Sequence, residues 1–241
     1  MARRVLLYVW ALAVVALAFA WNFPMSNRLT RLGTLALLGF VWAGGLALVW
    51  RYRIPRWAAI GASVATIAFL LRPSGSMVDS RILREAYVRH LPRYLGVRYI
   101  WGGESSNGID CSGLVRRAMF NTLVGQGILH ASPATVRAGL GIWWNDRTAT
   151  ALAEASCPET KTLPDLAPIQ ARNAADLRPG DLAVTANGIH VLAHLGDGRW
   201  IDADPTAQEV RITSMAAADN PWFADPVRIV RWRWLVAGDR D

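Results

Sequence analysis

A cysteine opening a helix can perform nucleophilic catalysis, and Cys111 is the residue of this chain best placed to do so. Cys111 lies in Gly108-Ile109-Asp110-Cys111-Ser112-Gly113-Leu114-Val115, shortly after Tyr99-Ile100-Trp101-Gly102-Gly103. Glycines in this approach let a backbone come close to a substrate. The pattern from Asp110 to Val124 predicts a helix with Cys111 in its first turn, where the positive end of the helix dipole favours thiolate. Ile189 to Leu195, which contains His190 and His194, is a predicted strand. A solitary cysteine is otherwise a small buried hydrophobe, so the surrounding pattern carries this reading.

Two other groups compete for attention. His190 and His194 are four apart and would share a face of a strand, but no helical H-E-x-x-H and no cysteine cluster accompanies them. No metal and no cofactor is therefore expected. Cys157 is the remaining cysteine, and a disulfide to Cys111 would abolish the nucleophile, so Cys157 is expected to be free.

These residues need elements to hold them. Val78 to Leu95 carries Ile82, Leu83, Ala86, Tyr87, His90 and Leu91 at helical spacing and predicts an amphipathic helix. Asp181 to Thr185, Ile189 to Leu195 and Trp200 to Ala203 predict short strands joined by Ala186-Asn187-Gly188 and Gly196-Asp197-Gly198 turns. Arg228 to Val236 alternates as a half-buried closing strand. Helices first and strands afterwards is the order of an α+β domain with an antiparallel sheet. Residues 125 to 175 show no sustained periodicity and read as a lid or an elaboration near the site.

The run from Tyr94 to Val115, YLGVRYIWGGESSNGIDCSGLV, resembles the active-site signature of the NlpC family of bacterial cell-wall cysteine peptidases. Leu177-Arg178-Pro179-Gly180-Asp181-Leu182 and Ile189-His190-Val191-Leu192-Ala193-His194-Leu195-Gly196-Asp197-Gly198 extend the likeness, which covers residues 80 to 207 or so. The resemblance implies a papain-like α+β fold and cleavage of the peptide stems of peptidoglycan, commonly between D-glutamate and a diamino acid. It makes Cys111 the nucleophile, His190 the general base and Tyr99, twelve positions before the cysteine, a partner of the Cys111 backbone N–H in holding an oxyanion. Asp110 and Ser112 would contact the substrate amine. The third catalytic position, usually His, Asn or Gln in the family, is Asp202, which can accept the imidazole N–H as in other triads. Asp204, on the same face of the same strand, is the alternative. Arg98 stands where many members have Pro, and His194 where an aromatic is common, so packing is its expected role. The 79-residue interval from Cys111 to His190 is long for the family, and the excess falls in the 125 to 175 insertion.

The remaining third of the chain is of another kind. Apolar residues make up 53% of the sequence and the formal charge is +8. Residues 1 to 75 hold eight Arg and no Asp, Glu or Lys, whereas residues 76 to 241 hold 18 basic and 18 acidic residues. A neutral C-terminal domain without a basic run removes the case for nucleic acid as a partner. Val5 to Trp21, Thr34 to Trp50 and Trp57 to Leu71 are apolar stretches of 15 to 17 residues bracketed by Arg, with Trp21, Trp50 and Trp57 at their ends. Such stretches predict membrane helices with interfacial tryptophans, the third being the shortest.

The expected organisation is a transmembrane region of about three helices over 1–72, a linker over 73–79 and an NlpC-type domain over 80–241. Arg3, Arg4, Arg51, Arg53 and Arg56 on one side of the membrane outnumber Arg28, Arg31 and Arg72 on the other. The positive-inside rule then puts the N-terminus in the cytoplasm of a bacterium, and the domain in the periplasm or outside. The expectation is a multi-pass inner-membrane cysteine endopeptidase acting on peptidoglycan stems. An amidase or acyltransferase on lipid-linked substrates, and a non-catalytic wall-binding scaffold, are the alternatives.

Overall fold

Unbroken apolar runs without Asp, Glu or Lys fold as helices that present apolar side chains on every side. In the computed structural model these are α1 (Ala2–Asn22), α2 (Arg28–Val49) and α3 (Arg53–Leu71), of 21, 22 and 19 residues. All three are long and apolar enough to cross a membrane. Leu12, Phe19, Leu29 and Ile54 are 69–85% exposed, as side chains facing lipid would be. Each helix outruns its apolar stretch because it absorbs flanking residues. Asn27 caps α2 reciprocally with Thr30, and α3 begins at Arg53, which lengthens the shortest span to 19 residues.

The structure describes residues 2–73, 75–216 and 220–236. Met1 of the predicted membrane region, position 74 of the predicted linker, and positions 217–219 and 237–241 of the predicted domain lie outside the described residues.

The domain opens with α4 (Ser80–His90), capped by Asp79 and burying Leu83, Ala86 and Tyr87. The expected helix to Leu95 stops short because Pro92 cannot donate to the ladder, and Leu91–Tyr94 continue as a 3₁₀ turn. A two-residue ladder, β1 (Glu104–Ser105) with β2 (Gly108–Ile109), leads into α5 (Cys111–Leu129). There follow α6 (Pro133–Trp144), α7 (Ala149–Ala153) and β3 (Thr160–Pro168). The 125 to 175 stretch is therefore not irregular. Its elements are short and β3 carries Pro164, Pro168 and a register shift between Thr162 and Leu166, which erases any period from the sequence.

The sheet is completed by β4 (Leu182–Thr185), β5 (Val191–Gly196), β6 (Arg199–Asp204), β7 (Glu209–Ser214) and β8 (Pro226–Trp232). All its pairs are antiparallel, in the order β3-β8-β4-β5-β6-β7. The strand expected over Arg228 to Val236 starts two residues earlier and ends at Trp232, where Arg233–Leu235 turn as 3₁₀. On one face, Val191, Ala193, Ile201, Ala203 and Trp232 share a core with Leu114, Val115, Ala118 and Met119 of α5. On the other, Leu192, Trp200, Phe223 and Ile229 form a smaller core.

Two tethers join the domain to the helices. The α1–α2 connection runs as a strand beside residues 102–104: Met25 bridges Gly103, Ser26 N donates to Gly102 O at 2.9 Å, and Glu104 N donates to Pro24 O at 2.8 Å. From α6, Arg137 Nη1 donates to the carbonyls of Leu70 and Arg72 at 2.7 and 3.0 Å, closing the C-terminal end of α3.

Candidate active site

Cys111 is the first residue of α5, so its backbone N–H has no acceptor within the helix. The cap is Asp110. Its Oδ1 accepts from Gly113 N at 2.6 Å and from Ser112 Oγ at 2.9 Å, and its Oδ2 accepts from Gly102 N at 2.8 Å. Both carboxylate oxygens are thus engaged by the protein's own donors. Asp110 and Ser112, expected from the resemblance to contact the substrate amine, brace the turn that carries the cysteine.

The thiol is 6% exposed and faces the backbone around His190, with Sγ 3.9 Å from the Ile189 carbonyl. Burial first, and the Asp110 carboxylate second, push its pKa up to about 12, while the Val191 and Ser112 amides pull the other way.

His190 precedes β5 and is buried. Thr185 holds its backbone: Thr185 Oγ1 accepts from His190 N at 3.1 Å. Its ring stacks on Trp222, with centroids 4.1 Å apart and planes 22° from parallel. Its Nε2 is 2.9 Å from Asp202 Oδ2. In the β5–β6 ladder Ala193 faces Ile201 and His194 faces Trp200; continued, that register would set Asp204 opposite His190 and Asp202 on the diagonal. The diagonal partner is the one used, because the Asp204 carboxylate is taken by Arg211 and by the Thr206 amide at 2.7 Å. Burial raises the pKa of Asp202, with the His190 hydrogen bond opposing.

Tyr99 is half-buried, and its segment is fixed by Tyr99 N donating to Gln208 O at 2.8 Å and by a bridge to Ile109. Burial, then Cys111 and Asp110, push its phenol up to about 12. It stays a protonated donor at neutral pH. His194 packs against Trp200 with centroids 4.8 Å apart. Cys157 is a buried free thiol 3.2 Å from Glu159 Oε2. Among the described residues no three His, Cys, Asp or Glu side chains converge as metal ligands.

Trp222 escaped the sequence reading, since nothing in its spacing ties it to a histidine 32 positions earlier. The signal available was compositional: 12 tryptophans, several outside the membrane stretches.

A cysteine heading a helix that packs on an antiparallel sheet, with a histidine just before one strand and its carboxylate within the neighbouring strand, defines a papain-like cysteine hydrolase domain. The NlpC/P60 family profile matches residues 96–228, more than half of the chain, and the protein belongs to that family. It carries a peptidoglycan-hydrolase-type domain of the cysteine class.

Solved structures similar to it include the peptidoglycan hydrolase RipB of Mycobacterium tuberculosis, at 24% identity and a TM-score of 0.39 over 62% of this chain and 64% of that one. The P60 domain of antigen MAP1204 from M. avium subspecies paratuberculosis gives 22% and 0.38 over 61% and 94%. NlpC1 of Trichomonas vaginalis gives 20% and 0.41 over 67% and 48%. The chain thus spans less than two thirds of the length of RipB. No curated protein matches it.

Proposed function

We propose that the protein is a membrane-anchored cysteine endopeptidase that hydrolyses peptide stems of peptidoglycan through Cys111, His190 and Asp202. The observation that carries this reading is the buried His190–Asp202 hydrogen bond of 2.9 Å beside the first turn of the Cys111 helix. With Nε2 given to Asp202, Nδ1 is the nitrogen left to take the thiol proton. A thiol raised to about 12 by burial needs such a base. The thiolate attacks the stem carbonyl, the oxyanion is held by the Cys111 N–H and the Tyr99 phenol, and His190 returns the proton to the leaving amine. Water then releases the acyl group from sulfur.

The tethers support a common side for the α1–α2 connection and the domain, as three spans require. They also support the periplasmic or external orientation, because Arg31 is paired with Glu104 and Asp146 and leaves only Arg28 and Arg72 as charges on that side. Placement of the site close to the membrane favours one second reading, an amidase or acyltransferase acting on lipid-linked stems.

Purified full-length protein should release peptides from cell wall, and Cys111→Ala should abolish the release. Undiminished release by that variant would sink the proposal. Turnover of labelled lipid-linked stems with none of wall fragments would move the assignment to the second reading.

A further inference from the structure

Arg31 lies in the first turn of α2, yet it is only 2% exposed. Its guanidinium reaches Glu104 Oε2 at 2.8 Å, the Trp144 carbonyl at 3.1 Å, Ser26 Oγ at 3.0 Å and Asp146 Oδ1 at 3.5 Å. Arg116, on α5 five residues after Cys111, meets the same two carboxylates: Glu104 at 3.4 Å and Asp146 at 2.9 Å. Two cations and two anions form a closed neutral set, in which Arg31, Glu104 and Arg116 are at most 4% exposed. A membrane helix and the helix of the nucleophile therefore share one buried ion network.

Glu104 belongs to the strand that the α1–α2 connection covers. The other side of that strand supports the nucleophile: Gly102 N donates to Asp110 Oδ2 at 2.8 Å, and Asp110 N donates to Gly103 O at 3.0 Å. Fit there is tight, since a Cβ on Gly113 would lie 2.0 Å from Gly103 O. Residues 102–104 are held between the membrane hairpin and the first turn of α5.

We propose that Arg31 is a positioning residue of the active site, which through Glu104 and Arg116 fixes the 102–104 strand and with it the Asp110 cap and Cys111. The membrane hairpin is then a structural part of the peptidase site as well as its anchor. This rests on the assignment of Cys111 as nucleophile.

The test uses full-length protein in lipid nanodiscs. Arg31→Gln is expected to lower kcat on stem peptides about 10- to 100-fold with little change in KM, the effect of a misplaced reacting group. It should also raise the rate at which iodoacetamide alkylates Cys111, because a looser first turn opens the thiol. Glu104→Gln should act the same way, and Arg31→Lys, which keeps charge without the fork, should recover part of the loss. Arg28→Gln, exposed on the same helix, should match the unaltered protein. Unchanged kcat and alkylation in Arg31→Gln and Glu104→Gln overturn the proposal. If Arg31→Gln does not accumulate folded, Glu104→Gln decides alone. Alkylation needs no substrate, so if the unaltered protein hydrolyses no stem, the proposed function fails while the positioning claim is still decided.

Discussion

Burial sets the terms for the individual catalytic groups. It pushes the Cys111 thiol and the Tyr99 phenol up to about 12, and it raises the pKa of Asp202. The sign of the last shift gives a pH prediction. As pH falls, Asp202 takes up its proton sooner than an exposed Asp would, losing the charge that steadies an imidazolium. The acid limb of kcat/KM is expected to move to lower pH in Asp202→Asn, which has no carboxyl to titrate. That variant can still accept from Nε2–H and should keep most of the activity. Asp202→Ala should lose about 10²- to 10⁴-fold. A pH–rate profile of the three proteins checks both statements, and equal profiles would assign the imidazole another partner.

At the scale of elements, Cys111 is placed by a helix whose first turn is pressed onto residues 102–104. Gly113 shows how closely, with Gly103 O 2.0 Å from where its Cβ would be. Gly113→Ala is expected to destabilise the fold by about 1–3 kcal/mol through overpacking, and to depress kcat because the shift falls at Cys111. Gly125, in the same helix, meets nothing within 4 Å. Gly125→Ala should leave kcat alone and stabilise by up to about 1 kcal/mol. Thermal unfolding together with kcat for the pair reads the contact out; similar behaviour would mean that the first turn is not held as tightly as its geometry implies.

The whole molecule is an NlpC/P60 domain joined at two points, the α1–α2 connection and the end of α3, to helices long and apolar enough to cross a membrane. The proposed topology of three spans puts both points on one face of the bilayer. In that topology Arg3, Arg4, Arg51, Arg53 and Arg56 lie on the other face, which the positive-inside rule makes the proposed cytoplasmic one. A reporter fused after Asp241 should therefore be active only outside the cytoplasm. A cytoplasmic signal would put the domain out of reach of wall peptides and would remove its substrate.

Sequence alone determined the local part of this arrangement. The glycines and Asp-Cys-Ser around Cys111 specify a capped helix start, the alternation near His190 and Trp200 specifies two paired strands, and the apolar runs specify helices long and apolar enough to cross a membrane. Each of these signals is carried by residues within a few positions of one another, so it survives without tertiary context. What only the tertiary structure decided depends on residues far apart in the chain. The choice of Asp202 over Asp204 follows from where Arg211 and Thr206 stand. The stacking of Trp222 on His190, and the strand hidden in the 125 to 175 stretch, follow from packing that no period records. Arg31 counted in the sequence as one more flanking charge. Folding buried it 2.8 Å from Glu104, because a cation withdrawn from water must find an anion, and the nearest lies on the strand that supports the nucleophile.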